Sequence, residues 1–209
     1  MKISIVDYGL GNLFSLSNAF EYLDKKVLIT SDLSQLSESD VLVLPGVGAF
    51  GDGMKRLQST GIDQILVDHA LKNKPILGIC LGMQLLLESS EEFGYHLGLG
   101  IIKGTVQHFQ RISGFNKISK VPHVGWTKID MSPHSYFSED LECGEMYFSH
   151  SLCVSTTNSR DTLATATYGN ISFAAIIRQG FVFGFQFHPE ISALGGLNMI
   201  QEFIKLSET

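Results

Sequence analysis

A cysteine set between two short apolar segments is the first candidate for chemistry. In Pro75-Ile76-Leu77-Gly78-Ile79-Cys80-Leu81-Gly82-Met83-Gln84 an apolar run ends at Cys80 and a helix-like pattern follows. A strand that turns into a helix at a reactive residue is a nucleophile elbow. Gly78 and Gly82 flank the turn, where a side chain would collide with the neighbouring strand or helix. Such a turn puts Cys80 at a helix N-terminus, whose dipole and free N–H groups favour thiolate over thiol. The Leu81 amide there can also hold an oxyanion. A buried structural cysteine is the competing reading of the same segment.

The partner for such a nucleophile is near the other end of the chain. Phe183-Gly184-Phe185-Gln186-Phe187-His188-Pro189-Glu190 is an alternating apolar run that ends in a His and a Glu two residues apart. On an extended chain that spacing puts both side chains on one side, and Pro189 is expected to hold the segment extended. His188 can deprotonate Cys80 and reprotonate a leaving group, while Glu190 fixes the imidazole tautomer. A surface turn is the bland alternative for His-Pro-Glu taken by itself.

A third segment, Leu44-Pro45-Gly46-Val47-Gly48-Ala49-Phe50-Gly51-Asp52-Gly53, contains G-x-G-x-x-G at Gly46, Gly48 and Gly51. A dinucleotide site is disfavoured. Pro45 interrupts the strand-to-loop junction, the strand is not the first, and the acid about 20 residues on, Asp68, sits in a helical pattern. Backbone N–H groups aimed at an oxyanion suit a cysteine nucleophile better. Gly9-Leu10-Gly11 is weaker, with Phe14 where the third glycine should stand.

The elements needed to position these groups are legible. Ile3–Val6, Val27–Ile29, Val41–Leu44 and Ile76–Ile79 read as buried strands alternating with helical spacing at Leu13–Leu23, Met54–His69 and Gly82–Glu88. Continuous apolar strands alternating with helices indicate parallel pairing with both faces covered. The last third reads differently. Val154, Thr162–Thr167, Ile171–Ile177 and Phe181–Phe187 have hairpin spacing, and a helix over Leu197–Leu206 closes the chain. The expectation is one α/β domain over residues 1–209, a mixed, mostly parallel sheet with helices on both faces.

Composition sets bounds on function. The 209 residues are 44% hydrophobic and 17% charged, which excludes disorder. Fifteen Lys and Arg against 21 Asp and Glu give a net charge of −6, unlike a general nucleic-acid binder. Three cysteines, Cys80, Cys143 and Cys153, form no disulfide framework and fit a reducing compartment. Asp7 follows the first strand at once, and Pro75–Leu87 is shorter than the roughly 20 residues of a spanning helix. A soluble, cytoplasmic protein with no membrane association is expected. Cys143, His150 and Cys153, with His134 nearby, match no common zinc spacing, so neither a metal nor another cofactor is expected. Residues 101–129 carry Lys103, Arg111, Lys117, Lys120 and Lys128 without an acid before Asp130 and read as solvated surface.

Together these segments resemble a family. Pro75–Gln84 is similar to the nucleophile motif of class I glutamine amidotransferases, and His188-Pro189-Glu190 to their His-x-Glu pair. Asp7–Asn12, Pro45–Met54, Pro122-His123-Val124-Gly125-Trp126 and Tyr147-Phe148-Ser149-His150-Ser151 narrow the likeness to the glutaminase subunits of imidazole glycerol phosphate synthases. The resemblance runs from Lys2 to about Phe203 and implies the flavodoxin-like glutaminase fold. It implies that Cys80 forms a glutamyl thioester with L-glutamine, with His188 as base and then acid and Glu190 orienting it. It gives the oxyanion hole to the Leu81 amide and, after loop adjustment, the Val47 amide. Gly48, Gln84, Glu92 and the backbone of Ser149, His150 and Ser151 would hold glutamine. Asn12, Trp126, Tyr147 and Ile191 would meet a (β/α)8-barrel cyclase, the partner that receives the ammonia in histidine biosynthesis.

Three positions depart from that subfamily. Ile191 stands where a Lys reaches a carboxylate of the barrel, Thr127 where Asn is usual, and Ser149 where an apolar residue is usual. All three are expected on or near the partner side. Ile191 therefore keeps an alternative open, the same chemistry serving a specialised barrel in amidino-sugar formation. A γ-glutamyl hydrolase or the glutaminase of vitamin B6 synthesis is disfavoured by Pro45–Met54. An inactive flavodoxin-like interaction module is disfavoured by the intact Cys80, His188 and Glu190.

Overall fold

Short runs of fully buried apolar residues, too brief for a helix to use, set the frame. The computed structural model describes residues 1–115, 119–137, 141 and 144–208. Its first half alternates β1 (Ile3–Val6), α1 (Leu13–Tyr22), β2 (Val27–Thr30), α2 (Leu33–Ser37), β3 (Val41–Leu44), α3 (Phe50–Thr60), α4 (Ile62–Leu71), β4 (Ile76–Ile79) and α5 (Leu81–Leu85). Then come β5 (Ser89–Ser90), β6 (His96–Leu97), β7 (Gly104–His108), β8 (His123–Met131), β9 (Glu145–His150) and β10 (Leu152–Thr156). β11 (Thr162–Tyr168), β12 (Ile171–Gln179), β13 (Val182–Phe185) and α6 (Ala193–Ser207) complete the chain.

The main sheet has nine strands in the order β2-β1-β3-β4-β13-β12-β11-β8-β9. Pairing is parallel from β2 to β13 and antiparallel from β13 to β9. Every residue of β1, β3, β4 and β13 is buried. Alternate side chains enter two cores. Ile5, Val43, Leu77 and Phe185 pack with Leu16 and Phe20 of α1 and Phe203 of α6. Leu42, Leu44 and Ile76 pack with Leu57 of α3, Leu66 of α4 and Leu85 of α5. This two-faced burial is what the alternating pattern required.

Three features go beyond the sequence reading. The helical pattern over Met54–His69 is two helices, broken at Gly61, whose φ of +76° ends α3. The helix after Cys80 stops at Leu85 instead of reaching Glu88, so it is a single turn. A second sheet, β10-β7-β5-β6, packs beside the first. In the 101–129 segment the described basic residues Lys103, Arg111, Lys120 and Lys128 are exposed as expected, and Lys103 and Arg111 pair with Glu88 and Glu91 at 3.1 and 2.8 Å. Lys117 and Cys143 lie outside the described residues.

Candidate active site

The site forms where adjacent strands β3, β4 and β13 all end. Cys80 has φ 53° and ψ −109°, a conformation costing a non-glycine residue about 1–3 kcal/mol. The surroundings enforce it. The Cys80 N–H donates to Phe185 O of β13 at 2.7 Å, and its carbonyl accepts from Gln84 N at 3.2 Å. α5 rests so closely on β3 that a Cβ on Gly82 would run into the Leu44 carbonyl. With α5 one turn long, the local N–H of Leu81 matters more here than an extended helix dipole.

His188 leaves β13 three residues past its end. The segment is not extended, contrary to the expectation from Pro189. The proline instead opens a 3₁₀ turn over Pro189–Ile191, where its lack of an N–H costs nothing. The turn folds Glu190 back, so that Oε1 lies 2.9 Å from His188 Nδ1, with both side chains almost fully buried. A carboxylate only accepts, so Nδ1 carries the hydrogen and Nε2 is left for Cys80. Burial opposes the imidazolium, but hydrogen bonds to Cys80 and Glu190 and their negative charges outweigh it. The His188 pKa rises to about 10. His188 is thus held in its imidazolium form at neutral pH.

The remaining expected site residues divide into two groups. Around Cys80, the Ser149 carbonyl stands 3.9 Å from Sγ. Val47 and Gly48 are exposed on the loop after β3, with Val47 at 46%. Gly48 has φ +108° and open space where a side chain would be. Glu92 accepts from Phe50 N at 2.6 Å, capping α3, whose N-cap residue Ala49 offers no side-chain bond. It lines a cleft of about 700 Å³ with Ala49, Gly51 and His96. Gln84 is buried below the nucleophile, its Nε2 directed at Gln186 Oε1 at 3.1 Å. The His150 ring turns into the core, bonding Leu152 O at 2.6 Å and His123 Nδ1 at 3.0 Å. The Ser151 carbonyl accepts from Phe109 N at 3.1 Å.

The second group is an exposed rim. Asn12 caps α1 through Ser15 N at 3.2 Å. Trp126 is 49% exposed and stacks edge-on against Tyr147 with ring centres 5.8 Å apart. Ile191 is 44% exposed. Of the three departures from the subfamily pattern, Ile191 and Ser149 are exposed, Ser149 on the same face of β9 as Tyr147. Ser149 presents its carbonyl to Cys80, and Thr127 turns inward, its Oγ1 2.9 Å from His123 Nε2. Strand alternation explains the last: Trp126 and Thr127 are neighbours on β8 and face opposite ways.

A nucleophile elbow, a His-Glu pair and an exposed glycine-containing loop at the ends of parallel strands have the makings of an acyl-transfer site. The model of one protein family, glutamine amidotransferase class-I, matches residues 4–206. The chain belongs to the class-I glutamine amidotransferase family. Its relatives include the imidazole glycerol phosphate synthase subunit HisH of Sulfurimonas denitrificans, 43% identical over 203 residues that cover 97% of each chain. The subunit of the same name from Oceanobacillus iheyensis is 41% identical over 202 residues, 96% of this chain and 97% of that one. Among solved structures, a glutamine amidotransferase superimposes with TM-score 0.73 at 16% identity, covering 100% of both chains. PurLQS from Thermotoga maritima gives 0.73 at 19%, covering 98% of both. At these identities the structures show the fold alone.

In this class-I amidotransferase, sequence reasoning missed three supporting residues. Gln186 lies between Gln84 and the nucleophile, its Nε2 3.8 Å from Cys80 Sγ. Its one signal was a lone polar residue within an aromatic run. Ser192 locks the histidine turn: Oγ donates to His188 O at 2.6 Å and accepts from Tyr147 N at 2.9 Å. The Tyr147 carbonyl accepts from His188 N at 2.9 Å. Tyr8 is buried beneath the loop after β3. Nothing in local spacing reveals the last two, because their partners are remote in sequence. Among the described residues, no His, Cys, Asp and Glu group could hold a metal, and no helix is long and apolar enough to cross a membrane.

Proposed function

We propose that the chain is a cytoplasmic, single-domain glutaminase subunit that hydrolyses L-glutamine and hands the ammonia to a (β/α)8-barrel cyclase. The Cys80 thiolate adds to the carboxamide carbon. The oxyanion is held by the Leu81 amide and by the Val47 amide once the loop after β3 turns it inward. As the C–N bond breaks, His188 gives its proton to the nitrogen and ammonia leaves a γ-glutamyl thioester. Water then loses a proton to the neutral His188 and adds to the thioester. The C–S bond breaks, releasing the acid that ionises to glutamate and restoring thiolate and imidazolium. Gly48, Glu92 and the Ser149–Ser151 backbone hold the substrate, with Gln84 supporting the site from below.

One observation carries the reading: a strained, buried Cys80 in reach of an imidazole whose other nitrogen is bonded to Glu190. The partner assignment rests on the HisH relatives and on the rim of Asn12, Trp126, Tyr147 and Ile191. Ammonia made next to that rim passes into the barrel to make imidazole glycerol phosphate and aminoimidazole carboxamide ribotide. The test is Cys80→Ala in the reconstituted complex. Glutamine-dependent synthesis should fall at least about 10⁴-fold, while synthesis from free ammonium stays. A glutamine-analogue electrophile should label Cys80 and spare Cys143 and Cys153. Retained glutamine hydrolysis in the Ala variant would exclude the thioester.

The exposed Ile191 favours a second reading, a specialised barrel in amidino-sugar formation. Pairing with the cyclase of the same organism decides. If wild type binds tightly and shows full ligand-stimulated glutaminase, the histidine-pathway reading stands. If coupling requires Ile191→Lys, the specialised partner replaces it.

A further inference from the structure

Tyr8 lies two residues past β1, 4% exposed, and its hydroxyl donates to the Pro45 carbonyl at 2.9 Å. Pro45 is the first residue after β3 and opens the loop that carries Val47. Next along, Gly46 is wedged tightly. A Cβ there would strike the Tyr8 hydroxyl on one side and lie 3.0 Å from Leu81 Cβ and 3.2 Å from Gly82 N on the other. The phenol therefore fixes the near end of the loop against the cysteine turn. At the far end Gly48 has φ +108°, and a Cβ on it would meet nothing within 4 Å. One end of the Gly46–Val47 peptide is packed tightly, and beyond its other end no atom crowds Gly48.

We propose that Tyr8 is a positioning residue for the oxyanion loop, its hydroxyl holding the Pro45 carbonyl so that rotation is confined to the Gly46–Val47 peptide. This rests on the glutaminase reading above. Two further observations support it. Burial, and then the negative charge of Cys80, raise the phenol pKa above its ordinary value, so the hydroxyl remains a donor across the working pH range. Arg56 of α3 reaches over the same turn, its Nη1 3.5 Å from Gly9 O, which keeps the residue after Tyr8 in place. A side chain with no hydroxyl would leave the Pro45 carbonyl without its donor and let the whole loop sample orientations that do not present the Val47 N–H.

The experiment separates loop positioning from direct action on the nucleophile. Tyr8→Phe is assembled with the cyclase subunit and its ligand. Glutamine kinetics are measured beside the rate of Cys80 alkylation by iodoacetamide, a displacement at carbon with no oxyanion. The expected result is a kcat lower by about tenfold or more, part of the cost of a lost oxyanion donor, with KM within about twofold and alkylation unchanged. 3-Fluorotyrosine at position 8 keeps the hydroxyl and should restore kcat. Unchanged kcat in Tyr8→Phe overturns the proposal and leaves packing alone. A parallel fall in kcat and alkylation also overturns it, since Tyr8 would then act on Cys80 itself. Turnover by wild type tests the glutaminase reading separately from the variant-to-wild-type ratio.

Discussion

Two loops leave adjacent parallel strands at the same edge of the sheet, and they are built oppositely. The turn after β4 is held on every side. Cys80 is bonded through its N–H to β13, and α5 presses on β3 so closely that Gly82 admits no side chain. The loop after β3 is held at its two ends, by Tyr8 on Pro45 and by the Gly53 N–H on the Ala49 carbonyl, while between them Val47 is exposed and Gly48 has open space where a side chain would be. On the proposed mechanism the nucleophile is preset and the oxyanion amide adjustable. In an enzyme that must not waste glutamine, rate control belongs on the adjustable side. A partner seated on the rim can shift the loop's population without disturbing Cys80 and His188.

The fixed side should fail abruptly when broken. Glu190→Gln leaves the shape but lets the imidazole adopt the wrong tautomer, and kcat should fall about 10³- to 10⁴-fold with little change in KM. Steady-state glutaminase assays on the complex check this. A loss under tenfold would mean that Glu190 does not orient His188.

Stability should separate the loops more sharply still. Gly82→Ala forces a methyl into the Leu44 carbonyl, and denaturant unfolding should show a loss of about 3 kcal/mol or more. Gly48→Ala meets no atom, so only its positive φ is penalised, at about 1–2 kcal/mol. Equal losses in the two variants would erase the distinction between a packed turn and an open loop.

The same fixed side should also show a pH dependence with two flanks. His188 has a folded pKa raised to about 10, so its contribution to stability is complete below about pH 6.5 and is lost as pH climbs towards 10. Burial lowers His69 and His123 to about 4 and His150 to about 3. Their contribution is present above about 6.5 and is lost as pH falls towards 4 and 3. Unfolding free energy measured against pH should therefore peak near 6.5. His188→Asn should flatten the alkaline flank and leave the acid flank.

The contrast between the loops is only half legible in the sequence. Apolar runs at Ile3–Val6, Val41–Leu44 and Ile76–Ile79, broken only by the buried Ser4 and by Gly78, announce parallel strands because burial on both faces favours apolar residues. Cys80, His188 and Glu190 are readable because each ends such a run. Pro189 misleads, since a proline that fits an extended chain fits the first position of a 3₁₀ turn equally well. Thr127 misleads because a resemblance carries no strand register, and one position on β8 changes face. Gln186 leaves only the faint signal of a lone polar residue in an aromatic run, and Tyr8 and Ser192 leave none. Tyr8 and Gln186 reach Pro45 and Cys80, 37 and 106 positions distant, and Ser192 acts on Tyr147 from 45 positions away.

The central claim, a preset nucleophile waiting on an oxyanion loop, is tested most directly by glutamate release from the purified chain alone and with cyclase and its ligand. With one oxyanion donor turned away in the isolated chain, the account expects turnover about 10²- to 10³-fold below that of the liganded complex, with Cys80 alkylated at the same rate in both. Comparable glutamate release in the two conditions would contradict it.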